Sequence, residues 1–151
     1  MQVKDIMKKE VITVELGTKV ADIAKILTSK GIHGVPVTNK KGLILGIITM
    51  SDFFIKGYPE IYLPSYIDFL QKTKFHGKQH AGEKASSDKL MKAKAEDIMT
   101  KDCVTVSEDM DIEDLLERYQ MSSLKTIPVS NKEGKLAGIV TRSDIIKLIK
   151  V

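Results

Sequence analysis

The chain has 151 residues, 42% of them apolar, and a formal net charge of +4. That is enough for one domain, or for two half-domains sharing a core. No apolar run approaches the roughly 20 residues of a membrane span, the start Met1-Gln2-Val3-Lys4-Asp5 lacks the pattern of a signal peptide, and a lone cysteine excludes a disulfide framework or four-cysteine metal site. The cytoplasm is the expected compartment. Cys103, in the apolar run Cys103-Val104-Thr105-Val106, reads as a buried structural thiol.

In chain order, Val3 to Met7 leads into Val11-Ile12-Thr13-Val14, a predicted strand closed by the turn at Gly17. Thr18 is the predicted cap of a helix over Lys19 to Lys30, where Val20, Ile23, Ala24 and Leu27 recur at i, i+3, i+4 and i+7 and form one stripe for burial. Gly31 ends that helix. Gly34-Val35-Pro36-Val37-Thr38 reads as a strand whose proline, donating no ladder hydrogen bond, belongs at an edge or a strand start. Asn39-Lys40-Lys41-Gly42 is a hairpin turn with Gly42 suited to positive φ.

The next strand, Leu43 to Ile48, breaks at Thr49-Met50-Ser51-Asp52, and Phe53, Phe54 and Ile55 then suit a helix start. Ser and Asp favour N-caps, so hydroxyls, a carboxylate and free helix N–H groups are expected at this corner. Such a corner can offer N–H groups to a phosphate and a carboxylate to a sugar diol. The plainer reading of the same Ser-Asp pair is a helix cap and nothing more.

From Gly57 to Lys94 the composition changes. Seven lysines face Glu60, Asp68, Glu83 and Asp88, so the basicity gathers there as a solvated linker or a weak polyanion-binding surface. Tyr58 to Pro64 is extended and aromatic, Ser65 to Leu70 suits a short helix, Lys74 to Ser87 a mobile loop, and Asp88 to Lys94 a second short helix. His76 and His80 stand four apart without a third ligand, and the glycines around them oppose a helix, so no metal site is expected.

The chain then repeats itself. Adding 92 to a residue number from Asp5 to Asp52 lands on its partner in Asp97 to Asp144 without a gap. Asp5-Ile6-Met7 meets Asp97-Ile98-Met99, Thr13-Val14 meets Thr105-Val106, Pro36-Val37 meets Pro128-Val129, and Gly46-Ile47-Ile48-Thr49-Met50-Ser51-Asp52 meets Gly138-Ile139-Val140-Thr141-Arg142-Ser143-Asp144. So many punctuating residues in one register mark a tandem duplication. Each copy is predicted as strand, helix, strand, strand, helix, too small to cover both faces of its sheet, so the two copies should pack together.

Two units of this pattern, each with an early Ile-Met, a central hydrophobic-Pro-Val and a closing Gly-hydrophobic-x-Thr-x-Ser-Asp, resemble a tandem pair of CBS domains, a Bateman module. The resemblance implies an α/β (α+β) fold of two βαββα units, at 1–56 and 95–151, packed as an intramolecular pseudo-twofold pair around two clefts, with an insert at 57–94. It also implies homodimers and regulatory binding of an adenosine compound (AMP, ADP, ATP or S-adenosylmethionine), with no cofactor required, no catalysis and an unknown regulated protein.

By that resemblance Asp52 and Asp144 hold ribose hydroxyls, and Thr49, Ser51, Thr141 and Ser143 face phosphate. The adenine lies near Thr13 and Thr105 and against the backbone at Gly34, Val35 and Pro36, and at Thr126, Ile127 and Pro128. Arg142, where the first copy has Met50, can pair bidentately with phosphate, so inequivalent sites are expected. Which cleft Arg142 and His33 enter stays open at this level. No Gly-x-Gly-x-x-Gly fingerprint, phosphate loop or Gly-x-Ser-x-Gly elbow points to an enzyme. The alternatives are an interaction module with empty clefts, using Tyr58–Leu70 as its surface, and nucleic-acid binding through the lysine-rich insert, which its few aromatics weaken.

Overall fold

The computed structural model describes residues 1–53 and 92–148. The aromatic segment, the lysine-rich loop, the His76/His80 pair and nearly all of the insert lie outside the described residues. In chain order the elements are α1 (Val3–Ile6), α2 (Val20–Lys30), β1 (Gly34–Thr38), β2 (Ile44–Thr49), a 3-10 turn (Met50–Phe53), α3 (Ala95–Ile98), β3 (Thr100–Lys101), β4 (Val106–Ser107), α4 (Ile112–Met121), β5 (Thr126–Ser130), β6 (Leu136–Thr141) and α5 (Arg142–Ile146). They form a mixed α+β fold with two three-stranded sheets, β1-β2-β3 and β4-β5-β6. Among the described residues no helix is long and apolar enough to cross a membrane.

The helical stripe behaves as its spacing requires. Val20, Ile23, Ala24 and Leu27 are all buried and pack on Val35, Val37, Ile48 and Phe53. Burying Ile23 and Leu27 alone stabilises the fold by about 1.5–3 kcal/mol each. In α4 the stripe is shallower: Leu115 is fully buried, whereas Leu116 and Tyr119 are half-buried and the Tyr119 hydroxyl donates to the Val140 carbonyl at 2.8 Å. Gly31 closes α2 in the left-handed region at φ 60°. Gly42 takes φ 81°, and its N–H closes the hairpin on the Asn39 carbonyl at 2.9 Å.

Several local expectations are corrected. Val11–Val14 is not a strand; it contributes one parallel bridge, Val14 to Val37. Thr18 is not the cap of α2. Lys19 takes that place, and the Thr18 hydroxyl donates to the Glu15 carbonyl at 2.7 Å. Pro36, by contrast, lies in β1, the edge strand of its sheet, as expected; beyond β2 the strand meets only the single bridge to Val14. The Pro36 carbonyl accepts from Val14 N–H, so its nitrogen faces the side where pairing amounts to that single bridge, and the missing N–H leaves no gap in the ladder. Pro128 repeats this inside β5, since β4 pairs only from Val129 onward. Cys103 is half-buried rather than enclosed, and that burial still pushes its thiol pKa up.

The two repeats exchange their opening arms. Val3, from the first repeat, sits in the core of the second with Val106, Leu115, Ile127 and Val140. Ala95, from the second, sits in the core of the first. Val3 N–H donates to Met110 O at 2.9 Å, and Ala95 N–H donates to Thr18 O at 2.8 Å, the same contact 92 residues apart. Lys8 then bridges Ile139 at the edge of β6, as β3 pairs with Gly46 and Ile47 at the edge of β2. This docking explains two glycines: a Cβ on Gly138 would lie 2.7 Å from the Lys8 carbonyl, and one on Gly46 2.6 Å from the Thr100 carbonyl.

Candidate functional site: two clefts between the repeats

At the end of β6 the chain turns at Thr141 into α5. Thr141 is the N-cap, and Asp144, at the third helical position, reaches back to it. Asp144 Oδ2 accepts from Thr141 N–H at 2.9 Å and from Thr141 Oγ1 at 2.7 Å. The corner at β2 is built alike, with Thr49 N–H donating to Asp52 Oδ2 at 2.8 Å and Thr49 Oγ1 lying 2.8 Å from Ser51 Oγ. The expectation of Ser-Asp caps with free N–H groups is thus corrected: threonine is the cap, and the aspartate takes up the first N–H, as in a capping box. The two aspartates differ in setting. Asp144 is only 5% exposed, and its Oδ1 faces Lys8 and Lys147, each at 3.7 Å. Asp52 is half-buried, and that desolvation raises its pKa against the lowering effect of Thr49 and Thr100.

Two cavities open beside these corners. The larger, about 540 Å³, is walled by Lys8, Glu10 and Ile12 from the first repeat's arm, by Gly31, Ile32, His33 and Gly34 ahead of β1, and by Lys125, Thr126, Ile139, Thr141, Arg142 and Ser143 of the second repeat. The smaller, about 300 Å³, is walled by Ile47, Thr49, Met50 and Ser51 with Ser123, Leu124, Lys125 and Thr126, and shares His33 with the larger. The offset of 92 carries one wall onto the other: Thr141 onto Thr49, Ser143 onto Ser51, Gly34 onto Thr126.

The clefts are therefore pseudo-symmetric, and each joins the corner of one repeat to the loop before the proline strand of the other. Arg142 and His33 both belong to the larger cleft. Arg142 Nε donates to the Leu124 carbonyl at 3.2 Å, which holds its guanidinium, while His33 Nδ1 lies 3.2 Å from Met50 Sδ. The lining of the larger cavity carries three cations, Lys8, Lys125 and Arg142, and one carboxylate, Glu10, while Lys8 also pairs with Asp144 behind it. Such a wall attracts an anion.

Of the residues predicted from sequence, Gly34, Thr126, Thr141, Arg142 and Ser143 line the larger cleft, and Thr49 and Ser51, again with Thr126, line the smaller. Val35, Pro36, Ile127 and Pro128 are buried in the sheets and wall neither cavity. Thr13 and Thr105 do not line them either; successive side chains of an extended segment alternate, and Ile12 is the residue that faces the larger cavity. Asp52 and Asp144 stand behind the walls as caps. Sequence reasoning missed Lys8, Glu10, Ile12 and Ile139. No motif flags the first three, because they reach the cleft through the exchanged arm, whereas Ile139 sits inside the closing motif as a strand residue.

A family model for the CBS domain matches residues 3–56 and 95–151. The chain belongs to the CBS domain family. It is 32% identical to protein MJ1426 of Methanocaldococcus jannaschii over 157 aligned positions, covering 99% of this chain and 91% of that one. It is 29% identical to inosine-5'-monophosphate dehydrogenase of the same organism, covering 95% of this chain and 22% of the enzyme. Among solved structures, the CBS domain pair of protein MJ0100 in complex with 5'-methylthioadenosine and S-adenosyl-L-methionine is 25% identical, with a TM-score of 0.67 over 98% of this chain and 94% of that one. CBSX2 in complex with AMP, at 21% identity, TM-score 0.71 and coverage of 97% and 94%, shares the fold.

Proposed function

We propose that the protein is a non-catalytic sensor that binds an adenosine nucleotide in the larger cleft. The observation that carries this is the cleft itself: about 540 Å³, within the range of about 300–1,000 Å³ typical of small-molecule sites, with the Thr141-Arg142-Ser143 corner of one repeat facing the Gly31–Gly34 loop of the other. The adenosine compounds held by the MJ0100 pair and AMP held by CBSX2 support the ligand class. The adenine packs on Ile12 and the backbone at Gly34. Asp144 Oδ1, the oxygen not engaged in the cap, accepts from the ribose hydroxyls, and Thr141, Ser143 and Arg142 face the phosphate.

Because the walls come from both repeats, a ligand bound there ties their relative position, and that is the signal a regulated partner reads. A ligand shifts such a balance only by its differential affinity for the two shapes; a thousandfold shift needs about 4 kcal/mol. The homodimer that the family implies and the cytoplasmic setting expected from the sequence belong to this proposal.

The test is a thermal-shift and calorimetric titration with AMP, ADP, ATP, S-adenosylmethionine and NAD. A ligand at one hundred times its Kd adds about 2.7 kcal/mol of stability. For a chain of this size that raises Tm by about 5–10 °C. Silence across the panel sinks the proposal and leaves an interaction module.

A further inference from the structure

We infer that Lys8 makes the larger cleft select a phosphate-bearing adenosine ligand over one without phosphate, an inference that rests on the nucleotide reading above. Its backbone is clamped in both directions: Lys8 N–H donates to Ile139 O at 2.9 Å, and Ile139 N–H donates to Lys8 O at 3.0 Å. The root of the side chain is therefore fixed on the wall, although the residue belongs to the arm of the first repeat. The side chain itself is 51% exposed and lies 3.7 Å from Asp144 Oδ1. That distance exceeds the roughly 2.7–3.2 Å of an N–H···O hydrogen bond. Among the described residues the ammonium pairs with Asp144 but donates no hydrogen bond, so its N–H groups can turn to an anion entering the cavity.

Two further cations stand on the same wall. Arg142 is held at Nε by Leu124, and among the described residues neither Arg142 nor Lys125 has a carboxylate within ion-pair distance. Position 8 is also where the duplication diverges. Its partner 92 residues on is the uncharged Thr100, and the neutral Met50 replaces Arg142 at that second corner. A phosphate in the larger cleft therefore meets an ammonium from the first repeat and a guanidinium from the second, and joins them. An uncharged nucleoside gains nothing from that pair, and S-adenosylmethionine offers it only a carboxylate that its own sulfonium and ammonium offset.

The experiment is calorimetry on the whole chain with adenosine, AMP and S-adenosylmethionine, for wild type, Lys8→Thr and Lys8→Arg, each checked for folding by circular dichroism. Wild type is expected to bind AMP at least about tenfold tighter than adenosine, with a preference that shrinks as salt is raised. Lys8→Thr installs the residue of the other repeat. It should weaken AMP about 10- to 100-fold, the span of a charge-assisted hydrogen bond, and leave adenosine unchanged. Lys8→Arg should restore much of the loss. Equal binding of AMP and adenosine by wild type, or equal loss of both in a folded Lys8→Thr, overturns the inference while the nucleotide reading stands. Binding of none of the three ligands overturns both.

Discussion

The larger and the smaller cleft are copies of one design and yet differ in what they can hold. Both have a threonine-capped corner, a serine beside it and the backbone of a loop ahead of a proline strand. The larger adds Arg142 and Lys8; 92 residues away stand Met50, which lines the smaller cleft, and Thr100, which does not. Duplication preserves what the fold needs, the cap, the hairpin glycine and the buried stripe, and the residues lining the cavity are where the two copies diverge. The scaffold is symmetric and the electrostatics are not.

The comparison is tested hardest in the cores. Ile23 and Leu115 are equivalent and both fully buried, so Ile23→Ala and Leu115→Ala should each cost about 2–5 kcal/mol in urea unfolding, by lost burial plus the cavity left behind. Close agreement between them supports two equally packed cores, whereas a near-silent variant on one side would show that core to be loose.

Next come the glycines under the exchanged arms. Gly46→Ala and Gly138→Ala bring a Cβ within 2.6–2.7 Å of a carbonyl, and overpacking of this kind costs about 1–3 kcal/mol. Hydrogen exchange at Lys8 and Ile139 should accelerate selectively in Gly138→Ala; unchanged protection there would argue against the arm docking.

Arg142→Met makes the larger corner like the smaller one and should weaken AMP binding about tenfold or more, through loss of a charge-assisted contact. The reciprocal Met50→Arg should leave the affinity of the larger cleft unchanged. A large effect of Met50→Arg with none of Arg142→Met would reassign the site to the smaller cleft. Asp144→Ala removes the acceptor for Thr141 N–H, so beyond any effect on ligand it should lower stability by about 0.5–2 kcal/mol, a typical cap value. Melting curves without ligand isolate that part.

The smallest effect is in the acid range. Burial raises the pKa of Asp52, so the folded state binds more protons than the unfolded state between the ordinary carboxylate range and that raised value. Its contribution is present at low pH and lost as pH rises through this window. Asp52→Asn cannot ionise and escapes that loss, so stability curves for the two proteins should shift in favour of the variant as pH rises towards neutrality. Because Asp52 is half exposed, water screens the effect and keeps it small. A shift of the opposite sign would mean that the Thr49 hydrogen bonds outweigh burial.

The helices, the hairpins and the duplication are legible in the amino acids, because each depends on residues a few positions apart: the stripe in α2, Asn39 with Gly42, Gly31 at a helix end. The candidate clefts were legible where they share the motifs, at Gly34, Thr126, Thr141, Arg142 and Ser143 in the larger and at Thr49, Ser51 and Thr126 in the smaller. Pro36 was legible too, since its missing N–H calls for the edge strand that β1 is; only the assembled sheet adds the single bridge to Val14. The capping role of Asp52 and Asp144 was masked by their neighbour serine, an equally good cap by composition.

By itself, the sequence determined two similar units, their elements and a chemically marked corner in each. Only the tertiary structure decided which arm packs in which core, and hence that Lys8, Glu10 and Ile12 share a cavity with a corner more than a hundred residues away. The reason lies in the duplication. Val3 and Ala95 carry the same docking groups and meet equivalent surfaces, so local pattern fits an arm to its own core as well as to the other. The choice rests on long-range packing and on the close approach that Gly46 and Gly138 permit.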